Sequence, residues 1–273
     1  MSETPATDRV RLDVVLVERG ITPTRVKARA LILAGQVFSA GVRLEKPGQR
    51  VCRSAPIDIL PGRRYVSRAA AKLVGALREF AIDPRERDAI DVGASTGGFT
   101  QVLLEEGAAR VVALDVGRGQ LDWSLRSDPR VHLREGINAR HLEPRLLPFC
   151  PSLAVVDVSF ISLALVLPAV ARCLSESGEI VALVKPQFEV GRGAVGRGGV
   201  VRDASLHRGV LQAIARLSSS RGWGLAGILP AALRGAEGNQ EFFVHVLPCA
   251  AGLSGPAVAR IIASVTAADE SGV

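Results

Sequence analysis

The stretch Asp91-Val-Gly-Ala-Ser-Thr-Gly-Gly-Phe-Thr100 decides the fold. Before it, Ala89, Ile90 and Val92 form an apolar strand pattern; after it, Phe99, Val102, Leu103 and Leu104 recur at helical spacing. A glycine-rich turn between a strand and a helix lets backbone N–H groups approach a ligand at the helix N-terminus. About twenty residues later, Arg110-Val-Val-Ala-Leu-Asp115 reads as the next strand and ends in a carboxylate. A nucleotide-binding α/β unit places its acceptor for a ribose diol there.

Two other readings use the same residues. The dinucleotide fingerprint asks for glycine where Ser95 stands, so the closest backbone approach to a pyrophosphate is lost and NAD or FAD is disfavoured. S-adenosylmethionine, an adenosyl ligand without phosphates, remains compatible. Gly93-x-Ser95-x-Gly97 also matches a hydrolase nucleophile elbow, with Asp157 and then His207 or His245 in the chain order of a triad. A hydrolase elbow normally follows several strands, whereas one helix and a small basic module precede Asp91.

The 273 residues suffice for one full α/β domain and a small module, and 48% hydrophobic content is ample for a core. The net charge of +7 is unevenly spread. Residues 1–64 hold 12 of the 34 Lys/Arg and 6 of the 27 Asp/Glu, leaving 22 against 21 for the remainder. The basic character therefore lies in the N-terminal module, which suits a phosphate backbone or an anionic membrane surface. Cys52, Cys150, Cys173 and Cys249 show no paired spacing, which argues against zinc and disulfides and fits a reducing cytosol. Residues 1–8 lack an apolar signal core, so a cytoplasmic location is expected. Leu153 to Ala171 is nearly apolar, but Asp157 is costly in a membrane helix and Val155-Val-Asp157-Val reads as a buried strand.

Leu12 to Arg19 and Thr24 to Ala34 read as helices, with Gly20 closing the first, Thr24 capping the second and Gly35 ending it. Short strand-like runs follow at Gln36–Ser39, Val42–Leu44 and Ile57–Leu60. Pro61-Gly-Arg-Arg64 is a linker, and Ser67 is the expected N-cap of a helix from about Arg68 to Phe80. Val131-His-Leu133, Val155–Ser159, Ile180–Pro186, Trp223–Leu229 and Gln240–Leu247 complete seven strands. Gln187 to Val201 is a Gly- and Arg-rich loop long enough for a mobile lid. The expected fold class is α/β, with a seven-stranded Rossmann-like domain behind a small α+β module.

Two resemblances follow from these residues. Arg11-Leu-Asp-x-x-Leu16, Gly20, Thr24-Arg25, Ala30-Leu-Ile32, Gly35-x-Val37, Gly41 and Lys46-Pro-Gly48 resemble the S4 RNA-binding fold. That likeness implies phosphate contacts at Arg11, Arg25, Lys27 and Arg29, to which Arg63, Arg64, Arg68, Arg192 and Arg197 are added as candidate RNA contacts. Lys72, Asp157, Lys185 and Glu241 resemble the Lys-Asp-Lys-Glu tetrad of ribose 2′-O-methyltransferases. With Val66-Ser-Arg68, Trp123-Ser-Leu-Arg126, Ser159-Phe-Ile-Ser-Leu163 and Leu183-Val-Lys-Pro-Gln-Phe-Glu-Val-Gly191, the whole chain resembles the haemolysin-like TlyA family of ribosomal RNA methyltransferases.

The family implies an S4 domain over 9–60, a linker over 61–67 and a class I methyltransferase domain over 68–273. It implies S-adenosylmethionine as donor and cytidine riboses of 16S or 23S ribosomal RNA, in assembled subunits, as acceptors. Gly93, Ser95, Gly97 and Phe99 would line the donor path, Asp115 would bind its ribose, Asn138 would approach adenine and Asp157 would border the donor. Asn138 replaces the aspartate found there in related ribose methyltransferases. Two lysines in one site lower each other's basicity, so a neutral amine can take a hydroxyl proton. The tetrad is read with Lys72 as base, Lys185 orienting the hydroxyl, and Asp157 and Glu241 setting the lysines. No histidine cluster accompanies the carboxylates, so no metal is expected. A membrane-active haemolysin and a non-catalytic RNA-binding ribosome factor are the alternatives; no stable membrane insertion is expected, because no amphipathic basic helix or clean span supports it.

Overall fold

The computed structural model of the protein describes residues 9–33, 35–39, 42–59, 65–235 and 237–267, and of residues 42, 43, 192 and 197 the backbone alone. The chain divides into two units, residues 1–64 and 65–273.

The first unit runs β1 (Arg9–Arg11), α1 (Leu12–Glu18), α2 (Arg25–Leu33), β2 (Val37–Ser39), β3 (Val42–Arg43), β4 (Arg50–Cys52) and β5 (Asp58–Ile59). Leu12, Val15 and Leu16 recur at helical spacing and bury against Ala28, Ile32, Val37, Leu44 and Val51. As expected, Thr24 caps α2: its Oγ1 accepts the Lys27 N–H at 3.3 Å. The strands β1 and β4 were not legible in the sequence. They pair antiparallel, Val10 opposite Val51, and each holds only one inward apolar residue between arginines or other polar neighbours. β2 pairs antiparallel with β3 and with β5. Arg11, Arg25, Lys27 and Arg29 are exposed, and Arg63, Arg64 and Gly41 lie outside the described residues.

The second unit runs α3 (Ala69–Glu79), β6 (Asp88–Val92), α4 (Gly98–Glu105), β7 (Arg110–Asp115), α5 (Trp123–Arg126), β8 (Val131–Glu135), β9 (Leu153–Val156) and α6 (Leu163–Ala171). It continues through β10 (Glu179–Val184), α7 (Pro186–Glu189), α8 (Ala204–Ser220), β11 (Gly224–Pro230), β12 (Phe242–Leu247) and α9 (Gly255–Ala267). One seven-stranded sheet results, in the order β11-β12-β10-β9-β6-β7-β8. Only β12 runs against the others. From β6 the chain builds outward to β7 and β8, then returns to add β9 on the other side. The switch between β6 and β9 opens a crevice at their carboxyl ends, where ligands bind in open α/β sheets.

Strands buried on both faces send alternate side chains to each. Ile90, Val92, Ala182, Val184, Phe242 and Val244 face α6, α8 and α9. Ala89, Val155, Val181, Leu183 and Phe243 face α3 and α4. The apolar run Leu153 to Ala171 is thus split between β9 and α6, and no helix among the described residues is long and apolar enough to cross a membrane.

Ser67 does not cap α3, contrary to expectation. Arg68 occupies the N-cap position without a side-chain hydrogen bond, while Ser67 lies against Gly98, where a Cβ would stand 2.0 Å from Ser67 Oγ. The neighbouring Val66 N–H donates to Gln101 Oε1 at 2.8 Å, so this segment is committed to α4.

Gly93 adopts φ +90, and a Cβ there would meet the Asp157 carbonyl oxygen at 2.3 Å. Backbone of the β9 end occupies the space a side chain would need, and backbone yields poorly. Gly93→Ala is therefore expected to lower stability by about 1–3 kcal/mol or more. Thermal unfolding checks this; an unchanged midpoint would contradict it.

Candidate active site

Asp157, Lys185 and Glu241 each lie one residue beyond a strand end, in phase with Val155, Leu183 and Phe243 of the α3 side. Lys72 arrives from α3 itself. Its Nζ lies 2.6 Å from Glu241 Oε2, with side-chain exposures of 10% and 3%. Lys185 Nζ lies 2.5 Å from Asp157 Oδ1 and donates to Ser159 Oγ at 2.9 Å. The four charges form two ion pairs, each lysine held by one carboxylate.

Three adjoining cavities meet at these pairs. The first, ≈ 780 Å³, is lined by Gly93, Ser95, Asp115, Asn138 and Asp157. A small one of ≈ 220 Å³ adds Phe99 and Lys185 to Asp157. The third, ≈ 620 Å³, is lined by Arg68, Lys72, Lys185 and Glu241. Asp157 and Lys185 stand at the junction, with Phe160 and Phe188 bordering both large clefts. Another groove of ≈ 810 Å³ between α8, α9 and β11 touches none of these residues; it lies where β11 begins, at the opposite edge of the sheet.

The loop after β6 is fixed from several sides. Asp115 Oδ2 accepts the Ser95 N–H at 2.8 Å and Oδ1 the Gly117 N–H at 2.6 Å. A carboxylate oxygen has two lone pairs, so both retain acceptor capacity. Asn138 accepts the Arg140 N–H at 3.0 Å. Gly97 adopts φ +98, and a Cβ there would meet Leu125 Cδ1 at 2.2 Å. Phe99 is buried and packs on Phe243, ring centroids 6.2 Å apart. Gly97 and Phe99 thus support the loop's shape, and Phe99 reaches only the small cavity.

Sequence reasoning passed over three features. Asp91, fully buried, accepts both the N–H (2.8 Å) and the Oγ1–H (2.7 Å) of Thr100. Burial, then the charges of Asp157 and Asp115, push its carboxyl up to about 7 against those two bonds. Its place at the head of the glycine motif was the available signal. Phe160 is 90% exposed at φ +63 and packs at a tilt against Phe188, ring centroids 4.8 Å apart; a strained backbone leaves no mark in sequence. Asn239, fully buried, binds the Val201 N–H and the Gly199 carbonyl, both at 2.9 Å.

The expected lid is consequently pinned at both ends. Asn239 holds its exit, and at its entry Glu189 of α7 accepts from Ser162 Oγ (2.6 Å) and the Leu163 N–H (2.8 Å) at the start of α6. Of Arg192 and Arg197 only the backbone is described. The hydrolase triad does not form either. His245 Nε2 lies 2.6 Å from Glu179 Oε2, where β10 begins at the sheet's far edge, and His207 is buried with Nε2 3.1 Å from the Val201 carbonyl oxygen. Ser95 Oγ instead contacts Gln120 Oε1 at 3.3 Å.

Residues 65–246 match the FtsJ-like methyltransferase family and residues 10–57 the S4 domain. The chain is 50% identical over 238 residues to the 16S/23S rRNA (cytidine-2′-O)-methyltransferase TlyA of Mycobacterium tuberculosis, covering 86% of this chain and 89% of the relative. It is 39% identical over 240 residues to Hemolysin A of Brachyspira hyodysenteriae, covering 87% and 100%. A solved structure described as a candidate hemolysin of Streptococcus thermophilus superposes with a TM-score of 0.72 at 39% identity, covering 97% of each chain.

The raised carboxyl of Asp91 makes stability depend on pH. Unfolded, the group titrates near 3.8, so its stabilising share is complete below that value and lost as pH rises through about 7. Between about pH 4 and about pH 7 the wild type should lose stability relative to Asp91→Asn in chemical unfolding. Parallel profiles for the two proteins would contradict this.

Proposed function

This chain belongs to the TlyA family of ribosomal RNA 2′-O-methyltransferases, and from that membership we propose that it methylates the 2′-hydroxyl of a cytidine in 16S or 23S ribosomal RNA, using S-adenosylmethionine on assembled subunits. The observation that carries the reading is the Asp157–Lys185 pair at the junction of two clefts, with Lys72 and Glu241 on the far side.

The first cleft suits a cationic adenosyl donor. Asp115 and Asp157 line it, and behind its loop Asp91 keeps one buried oxygen, Oδ1, without a hydrogen-bond partner. Bound there, S-adenosylmethionine supplies a methyl group already activated on a sulfonium. The chain's own residues have to align the hydroxyl and receive its proton. Asp115 would accept from the donor's ribose hydroxyls and Asn138 would hold its adenine; the backbone of Gly93 and Ser95 lines the same cleft, while Gly97 and Phe99 support the loop behind it.

In the second cleft Lys72 receives the 2′-hydroxyl proton at Nζ once its own ammonium proton has passed to the Glu241 carboxylate 2.6 Å away. Lys185 donates to the hydroxyl oxygen and fixes its direction. Glu241 and Asp157 keep the two amines in place. The exposed Phe160, backed by Phe188, offers a stacking face for the target base. The S4 unit holds the RNA backbone through Arg11, Arg25, Lys27 and Arg29, with Arg63, Arg64, Arg68, Arg192 and Arg197 as further contacts. A ribosomal substrate places this work in the cytoplasm. The membrane-active alternative gains no support from a spanning helix among the described residues.

The test is transfer of labelled methyl to separated small and large subunits lacking the modification. Lys72→Ala should lower the rate by about 10²-fold or more while donor binding persists. Because the Lys72–Glu241 pair is buried, unfolding is followed in parallel. A folded Lys72→Ala protein with near wild-type transfer would remove Lys72 from the base role.

A further inference from the structure

Asp13 is the one charged side chain of the first unit that is fully buried among the described residues. Arg11 grips it as a fork, Nε to Oδ1 at 3.0 Å and Nη2 to Oδ2 at 3.1 Å. Arg25, the first residue of α2, donates from Nη2 to the same Oδ2 at 2.9 Å. One carboxylate thus joins two arginines from different helical entries. The Arg11 hydrogen bond, opposed by burial and aided by Arg25, lowers the Asp13 carboxyl to about 2.

The arginines themselves are not buried: their side chains remain 49% and 57% exposed. A guanidinium carries five N–H donors, and Asp13 takes two from Arg11 and one from Arg25. Space for the fork is provided by Gly48, where a Cβ would stand 3.1 Å from Arg11 Nη1. Two cations this close repel each other unless an anion lies between them, and unrestrained arginines lose rotamer freedom when they bind a phosphate.

We infer that Asp13 is a positioning residue for RNA binding, holding Arg11 and Arg25 as a preassembled two-guanidinium seat for one backbone phosphate. The inference rests on the reading of the first unit as an RNA-binding S4 domain. It makes a prediction opposite in sign to simple charge counting. Removing an acid from a basic module should tighten RNA binding by long-range attraction; loosening the seat should weaken it.

The experiment measures binding of the full chain to ribosomal subunits lacking the modification, across a salt series. Asp13→Asn is expected to bind about tenfold more weakly and to lower the slope of log affinity against log salt by about 0.7–0.9, the loss of one phosphate contact. Arg11→Ala and Arg25→Ala should each weaken binding, and adding Asp13→Asn to the double variant should cost nothing further. Folding is checked by thermal unfolding; if Asp13→Asn does not fold, Asp13→Glu keeps the charge, displaces it, and should still weaken binding. Affinity equal to or above wild type in the folded Asp13 variant, with both arginine variants weakened, would overturn the inference alone. Unchanged affinity in both arginine variants would instead remove the RNA-binding assignment of these residues, and the inference with it.

Discussion

The ends of β6 and β9 lie so close that no side chain fits at Gly93, and the rest of the catalytic edge depends on that contact. The Asp157 carbonyl occupies the space of a Gly93 Cβ, so the loop after β6 and the residue after β9 are placed together. Asp157 then presents its carboxylate to Lys185 from the next strand. Asp115, from the strand on the other side, accepts the Ser95 N–H and fixes the same loop. One close backbone approach therefore sets three strands and the boundary between two clefts.

Beyond that boundary the charges are arranged to be held rather than merely tolerated. The buried Lys72–Glu241 pair costs desolvation that its attraction only partly returns, and the partly exposed Lys185–Asp157 pair costs less. Pairing each lysine with its own carboxylate gives two amines of defined position on one wall, which alignment of a hydroxyl requires. The aromatic pair Phe160–Phe188 and the buried Asn239 border the same space, together with Val195 and Gly199 of the loop after α7.

Much of this was legible in the sequence because it depends on pattern. The order of strands and helices follows from apolar periodicity, and each tetrad member stands where an apolar element ends or, for Lys72, beside the stripe of a helix. What escaped depends on tertiary contact. Ser67 looks like a cap but is drawn to Gly98. β1 and β4 have too few inward residues to show a period. Phe160 is told apart from any other loop aromatic only by its positive φ and exposure. The run from Gln187 reads as long enough for a mobile lid, and the side chains that anchor its ends, Glu189 and Asn239, escape because they gain their partners from α6 and from the loop's own far end. Asp13 stands in the S4-like motif, but its burial and the reach of Arg25 from twelve residues away are tertiary contacts without a local mark.

The central claim, methyl transfer to a ribose hydroxyl, is tested most directly by where the transferred label resides in ribosomal RNA after complete alkaline hydrolysis. A methylated 2′-oxygen cannot attack the adjoining phosphate, so the bond beside it survives. The account predicts label in an alkali-stable dinucleotide whose first nucleoside is 2′-O-methylcytidine. Label released in mononucleotides carrying a methylated base would contradict it.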